Sequence, residues 1–218
     1  MTWSRLLAIA TALTLCVALP SSCLALQKHE RDGWVAGIAY GYGVSKIKSG
    51  PTLNQLESGW TQGATPRLGI GHMIGQHVLI GYEQCQWMEE QGFGETAVRG
   101  SLQTFGLELN WFPGNPNTAA GGIYLRGGAG FANARFAFSL IPTDTTGGSG
   151  GSSGSEVHKE EHVDEGGTSY MLGVGYEFRV AKPFAIGADL TANYQTIHKE
   201  LFDTNWFIPI TVELNWYF

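Results

Sequence analysis

Eight charged residues stand apart in this chain, each set among Gly and large apolar residues: Arg67, Glu83, Glu108, Arg126, Glu177, Arg179, Asp189 and Glu213. Guanidiniums and carboxylates of this kind can neutralise one another in a hydrogen-bonded network, or pass an ion or proton along as Arg exchanges partners. A second candidate is His158 with His162, four residues apart and flanked by carboxylates, which on a helix would offer two imidazoles to a divalent metal. The run is not His-Glu-x-x-His, so the zinc-protease pattern fails. A solvated acidic surface run is the simpler reading, and no metal or cofactor is assigned. A third set, His198, Glu200 and Asp203 with Ser101 elsewhere, holds the residue types of nucleophilic catalysis. Its spacing matches no known signature.

What would position the eight charges is a period of two. From Trp206 to Phe218 every second residue is apolar, namely Trp206, Ile208, Ile210, Val212, Leu214, Trp216 and Phe218, while Thr211, Glu213 and Asn215 lie between them. Strand side chains alternate faces, so one face is apolar and the other carries an acid and an amide. Seven more stretches behave alike. They run near 34–44, 66–74, 77–88, 97–112, 122–134, 170–180 and 186–194, with Arg67, Glu83, Glu108, Arg126, Glu177, Arg179 and Asp189 on the Gly-rich face each time. Within 77–88 the phase blurs at Gln84-Cys85-Gln86-Trp87, which suggests a bulge. Apolar outside and polar or small inside is the pattern of a wall between lipid and a narrow lumen.

The amino-terminal stretch fits a secreted wall protein. Arg5 is followed by the apolar run Leu6 to Leu19 and then Pro20, Ser21, Ser22 and Cys23, the form of a signal peptide, with cleavage expected after Ala25. Acylation of Cys23 as a lipoprotein is the rival, with Pro20 standing where such a site usually has Leu. Residues 26–218 then form one domain. Lys and Arg number 13 against 19 acids, for a formal net charge of −6 that loses a further cation with Arg5. An acidic balance argues against nucleic acid as a partner. Cys85 alone would remain, which leaves no internal disulfide and reads as a small wall residue.

The links between stretches alternate in length. Gly75-Gln76, about 113–120 and Ala181-Lys182-Pro183 are short and turn-rich. About 45–65 and about 138–167 are long, with 89–96 and 195–204 intermediate. The segment at about 138–167 joins a flexible Gly/Ser-rich half to an acidic half. The segment holding Ile47, Pro51, Leu53, Leu56 and Trp60 is less polar, and could fold over the rim or meet a partner.

With its leader, eight glycine-rich amphipathic strands and the ending Val212-Glu213-Leu214-Asn215-Trp216-Tyr217-Phe218, the chain resembles the small outer-membrane barrels of the OmpA/OmpX and opacity-protein type. The resemblance implies an all-β, eight-stranded antiparallel up-and-down transmembrane β-barrel in the outer membrane of a Gram-negative bacterium. Both termini would be periplasmic and the long loops extracellular. It implies lipid and lipopolysaccharide around the wall, barrel-assembly machinery and periplasmic chaperones as partners, a surface ligand through the loops, and a single-copy barrel. Leu214, Trp216 and Phe218 would be the assembly signal.

For function, eight strands leave a lumen that side chains fill, whereas a porin needs about sixteen. A structural or surface-interaction role with an Arg/Glu-plugged lumen is therefore the leading expectation, without catalysis. A narrow ion or small-solute channel is the alternative, and a lipid A-modifying enzyme a third. Ten strands stay open if the region around Phe136 to Leu140 hides a further hairpin.

Overall fold

A strand facing hydrocarbon must bond every backbone N–H and C=O within the wall, and closure is what removes the two unpaired edges. The computed structural model describes residues 31–49, 60–93, 96–115, 122–140, 159–197 and 202–218. They form β1 (Trp34–Ser49), β2 (Thr61–Ile74), β3 (Val78–Phe93), β4 (Thr96–Trp111), β5 (Ile123–Leu140), β6 (Lys159–Arg179), β7 (Phe184–Thr196) and β8 (Phe202–Tyr217). Each strand pairs antiparallel with the next, and β1 pairs with β8 to close a barrel of eight. Phe136 to Leu140 continue β5 instead of starting a ninth strand.

Register fixes the tilt. A row of paired residues runs from Ile38 through Leu68, Gln84, Phe105, Phe131, Thr168, Thr196 and Thr204, and returns to β1 at Lys48. Lys48 is ten residues beyond Ile38, so the row climbs as it circles, as expected of strands inclined at roughly 35–45° to the axis.

The wall is inside-out relative to a soluble protein. Leu172 is 72% exposed and Phe131 74%, whereas Glu83 and Arg126 are almost wholly buried. Two aromatic belts bound the outer apolar face. Near the turn rim lie Trp34, Trp111, Tyr176, Phe184, Trp216 and Phe218, with Trp34 edge-on to His72 and Phe184 stacked on Trp216. Towards the other end lie Tyr42, Phe131, Tyr170, Tyr194 and Trp206. Such belts sit where lipid headgroups meet hydrocarbon.

Three local expectations are corrected. No bulge interrupts β3: its pairing with β4 runs unbroken from Val78 opposite Trp111 to Phe93 opposite Thr96. Cys85 and Trp87 point inward while Gln84 and Gln86 point outward, so polarity inverts without a change of phase. The segment at about 138–167 is shorter than expected, because β5 runs on to Leu140 and β6 starts at Lys159. Strands extend beyond the lipid there, and outside lipid they need no apolar alternation. The link expected at 89–96 also shrinks, since β3 and β4 are separated only by residues 94 and 95.

Inside, the lumen is layered. An apolar cluster of Ile47, Cys85, Trp87, Leu102, Ala134, Ile197 and Phe207 fills the end away from the turns. A second, Val35, Met73, Leu79, Phe112, Tyr124, Ala185 and Tyr217, lines the turn end. Between them lie six of the eight charges, while Glu177 and Arg179 sit at the level of the turn-end cluster.

Candidate functional site

Because Arg67, Glu83, Glu108, Arg126, Asp189 and Glu213 occupy inward positions of β2, β3, β4, β5, β7 and β8, strand tilt brings all six to one level of the lumen. Arg67 Nη2 donates to Glu213 Oε2 at 2.5 Å and lies 2.6 Å from Asp189 Oδ2, and Arg67 Nε stands 3.4 Å from Glu83. Arg126 Nη2 donates to both Glu83 and Glu108, and Arg126 Nη1 is 3.6 Å from Asp189. Neutral donors complete the shell. Tyr124 Oη donates to Glu213 at 2.7 Å, and Thr191 and Thr211 each donate to Asp189 at 2.9 Å. Tyr124 reaches the network because its ring lies over Gly175, where any Cβ would collide with it.

Glu177 and Arg179 form a separate layer nearer the turns. Glu177 accepts from Asn215 at 3.0 Å, Tyr217 at 2.6 Å and Arg31 at 3.3 Å. Arg179 lies 3.5 Å from Glu177, donates to the Lys182 carbonyl at 3.2 Å, and stacks 3.3 Å above the Tyr217 ring. The eight charges are thus two networks instead of one. Between the layers is a cavity of about 30 Å³ lined by Glu83, Glu108, Asn110, Glu177, Glu213 and Asn215. That is room for one or two waters, and the Asn110 Oδ1 there has no partner among the described residues.

Sequence reasoning missed Arg31, which precedes β1 and folds into the lumen under Phe112. It also missed Tyr124, Asn110, Thr191, Thr211, Asn215 and Tyr217 as partners. Their inward phase was visible, but neutral polar residues on a small-residue face carry no signal of pairing.

The other candidates do not gather. Ser101 lies on β4 and faces outward, accepting from Gln86 Nε2 at 3.0 Å. Asp203 lies on β8, four strands away in either direction, 3.3 Å from Lys48. His198 and Glu200 lie outside the described residues. His158 does too, and 159–179 is strand, so His162 lies in β6 opposite Ala137 and not on the helix a two-histidine site requires. Where β5 pairs with β6 just below His162, Arg135 donates to Asp164 at 2.7 Å and holds that carboxyl below its ordinary range. Both groups are largely exposed, so the pair adds little stability. His72 packs on Trp34, and His77 Nδ1 lies 2.8 Å from the Phe112 carbonyl, both at the turn rim. Leu214, Trp216 and Phe218 all face outward, and Phe218 exchanges two backbone hydrogen bonds with Trp34 at 2.8 and 2.9 Å.

No family model and no curated protein matches the sequence. Among solved structures the chain is similar to Ail, the attachment invasion locus protein of Yersinia pestis, in complex with the heparin analogue sucrose octasulfate. The TM-score is 0.53 at 11% identity, covering 84% of this chain and 99% of that one. It is likewise similar to Neisserial surface protein A, with a TM-score of 0.54 at 13% identity, covering 85% and 97%. The likeness is one of fold: this chain is a small eight-stranded antiparallel barrel of the outer-membrane type.

Proposed function

We propose that the chain is a closed barrel of a Gram-negative outer membrane, without catalysis, that serves as a structural element and meets its ligand at the rim opposite the turns. In this reading residues 1–25 are removed, both ends of the barrel are periplasmic and lipopolysaccharide surrounds the outer half of the wall. The observation that carries it is the apolar cap. Trp87, Leu102 and Phe207 are fully buried at one mouth of the lumen, where together with the buried side chains of Ser45, Asn193, Gln195 and Asn205 beside them they fill the section and leave a hydrated ion no room to keep its shell. Below the cap every guanidinium of the central network is engaged by carboxylates, which leaves no row of free charges to pass an ion along.

Ail, a barrel of this fold, is seen with a sulfated sugar. Here the acids of 160–165 on β6 and a formal charge of −7 once Arg5 is removed disfavour polyanions, so the ligand we infer is neutral or cationic. The test is a planar bilayer holding the purified protein. No current steps above the lipid baseline are expected. Regular cation-selective steps that disappear in Glu213→Gln would establish the narrow-channel alternative instead. We also assign assembly to the terminal stripe. Deleting Phe218 removes both backbone bonds to Trp34, and the folded, heat-modifiable form recovered from outer membranes should fall severalfold. Unchanged recovery would take that role from Phe218.

A further inference from the structure

The cavity between the two charged layers has carboxylate and amide oxygens on its walls that the surrounding network does not use. Glu83 and Glu108 take their contacts with Arg126, Arg67 and Asn110 through Oε2 in every case, which leaves the Oε1 of each outside those contacts. Glu108 Oε1 lies over Gly81 and Gly69, 3.1 and 3.4 Å from where their Cβ atoms would stand. Both asparagines at the cavity are turned alike. Asn110 Nδ2 donates to Glu108 and Asn215 Nδ2 to Glu177, so each amide presents its carbonyl oxygen away from the carboxylate it serves. Asn215 Oδ1 occupies space that a side chain at Gly37 would need. Asn110 is only 7% exposed, and its Oδ1 has no partner among the described residues.

The charges do not balance either. Among the described residues the two layers hold five carboxylates, Glu83, Glu108, Glu177, Asp189 and Glu213, against four guanidiniums, Arg31, Arg67, Arg126 and Arg179, a formal excess of one negative charge. Arg126 keeps Nε and Nη1 without a hydrogen bond, so a bridging water could serve some of these oxygens. Water supplies hydrogens but no charge, and an uncompensated carboxylate away from solvent is costly. We propose that the cavity binds one monovalent cation, sodium by size, held by Glu108 and Asn110 of β4 with Glu83 of β3 and Asn215 of β8 around it. Carboxylate and amide oxygens are what replaces the hydration shell of a hard cation, and one such ion cancels the excess. A divalent ion would overshoot it, and no three carboxylates or histidines among the described residues converge on a point as a metal site. The sequence led to no metal because β3, β4 and β8 bring these ligands together only once the barrel closes. The site is internal to the lumen and stands whatever the rim meets.

The experiment is urea unfolding of the purified protein in uncharged detergent, with sodium chloride replaced stepwise by choline chloride at constant ionic strength. Choline is too large for a cavity of about 30 Å³. With one site per barrel the folded-to-unfolded ratio should rise about tenfold for each tenfold rise in sodium beyond half-saturation. Asn110→Leu, which removes a neutral ligand, and Glu108→Gln, which removes the excess charge, should each flatten that slope, while Arg135→Leu outside the lumen should keep it. Equal stability in the two salts overturns the proposal and assigns the missing charge to a proton on one of the carboxylates. A slope that survives in both lumen variants overturns it as well, by placing the ion elsewhere. Should neither variant fold, thallium(I) in crystals of the unaltered protein takes their place. An anomalous peak beside Asn110 Oδ1 is then expected, and a lumen without one overturns the site.

Discussion

Arg126→Leu should lower the unfolding free energy of the barrel by about 3–5 kcal/mol, since a buried ion network loses one partner while its carboxylates stay behind. Arg126 donates to Glu83 and Glu108 and stands 3.6 Å from Asp189, and the small cavity beside it holds too little water to take over those contacts. The measurement is urea unfolding in detergent micelles followed by tryptophan fluorescence. Combining Arg126→Leu with Glu83→Gln and Glu108→Gln should recover much of the loss, because the stranded charges are then gone. Arg135→Leu, which breaks the exposed pair with Asp164, is the control and should cost under about 1 kcal/mol. If both Arg variants lose equally little, the lumen is wetter than the packing implies.

Trp87→Ala should cost a comparable amount, about 3–5 kcal/mol, by a different route. The indole is fully buried against Leu102 and Phe207 and lies over Gly63, with its ring atoms 2.7 Å from where a Cβ there would sit. Its Nε1 has no hydrogen-bond partner among the described residues, so the loss is one of packing, and Trp87→Phe should retain most of the stability. Truncating Trp87 and Phe207 together removes the two largest side chains of the cap. Where the unaltered protein passes nothing, this double variant should show flickering, low-conductance openings in the planar bilayer. A double variant as silent as its parent would mean that the charge layer alone seals the barrel.

These two sites were unequally visible in the sequence. Glu108 and Glu213 each sit between large apolar residues at i−1 and i+1, so the alternation alone turns them inward. The same logic fails at Gln84-Cys85-Gln86-Trp87. There the outward residues are amides and the inward ones apolar, because the upper lumen holds an apolar cluster while the outer face of β3 turns polar towards the rim, as it does on β4 and β5. Both are properties of neighbours on other strands, which one strand's periodicity cannot contain. The upper strands escaped notice for a related reason. Lys159 to Gly167 are polar and glycine-rich, and nothing but pairing with β5 makes them a strand. Arg31 lies outside any alternation, and its inward fold depends on Glu177, 146 positions away.

The β1–β8 seam has one more consequence. It joins Val35 to Tyr217 and continues to Ser49 opposite Phe202, so the first and last strands complete each other's ladders. Until that long-range pairing forms, two rows of amides and carbonyls confront hydrocarbon with nothing to bond, and no half-built curl is a comfortable resting place. Insertion should accordingly be all-or-none, and a chain clipped at either margin should be recovered as misassembled material for proteases rather than as a smaller barrel.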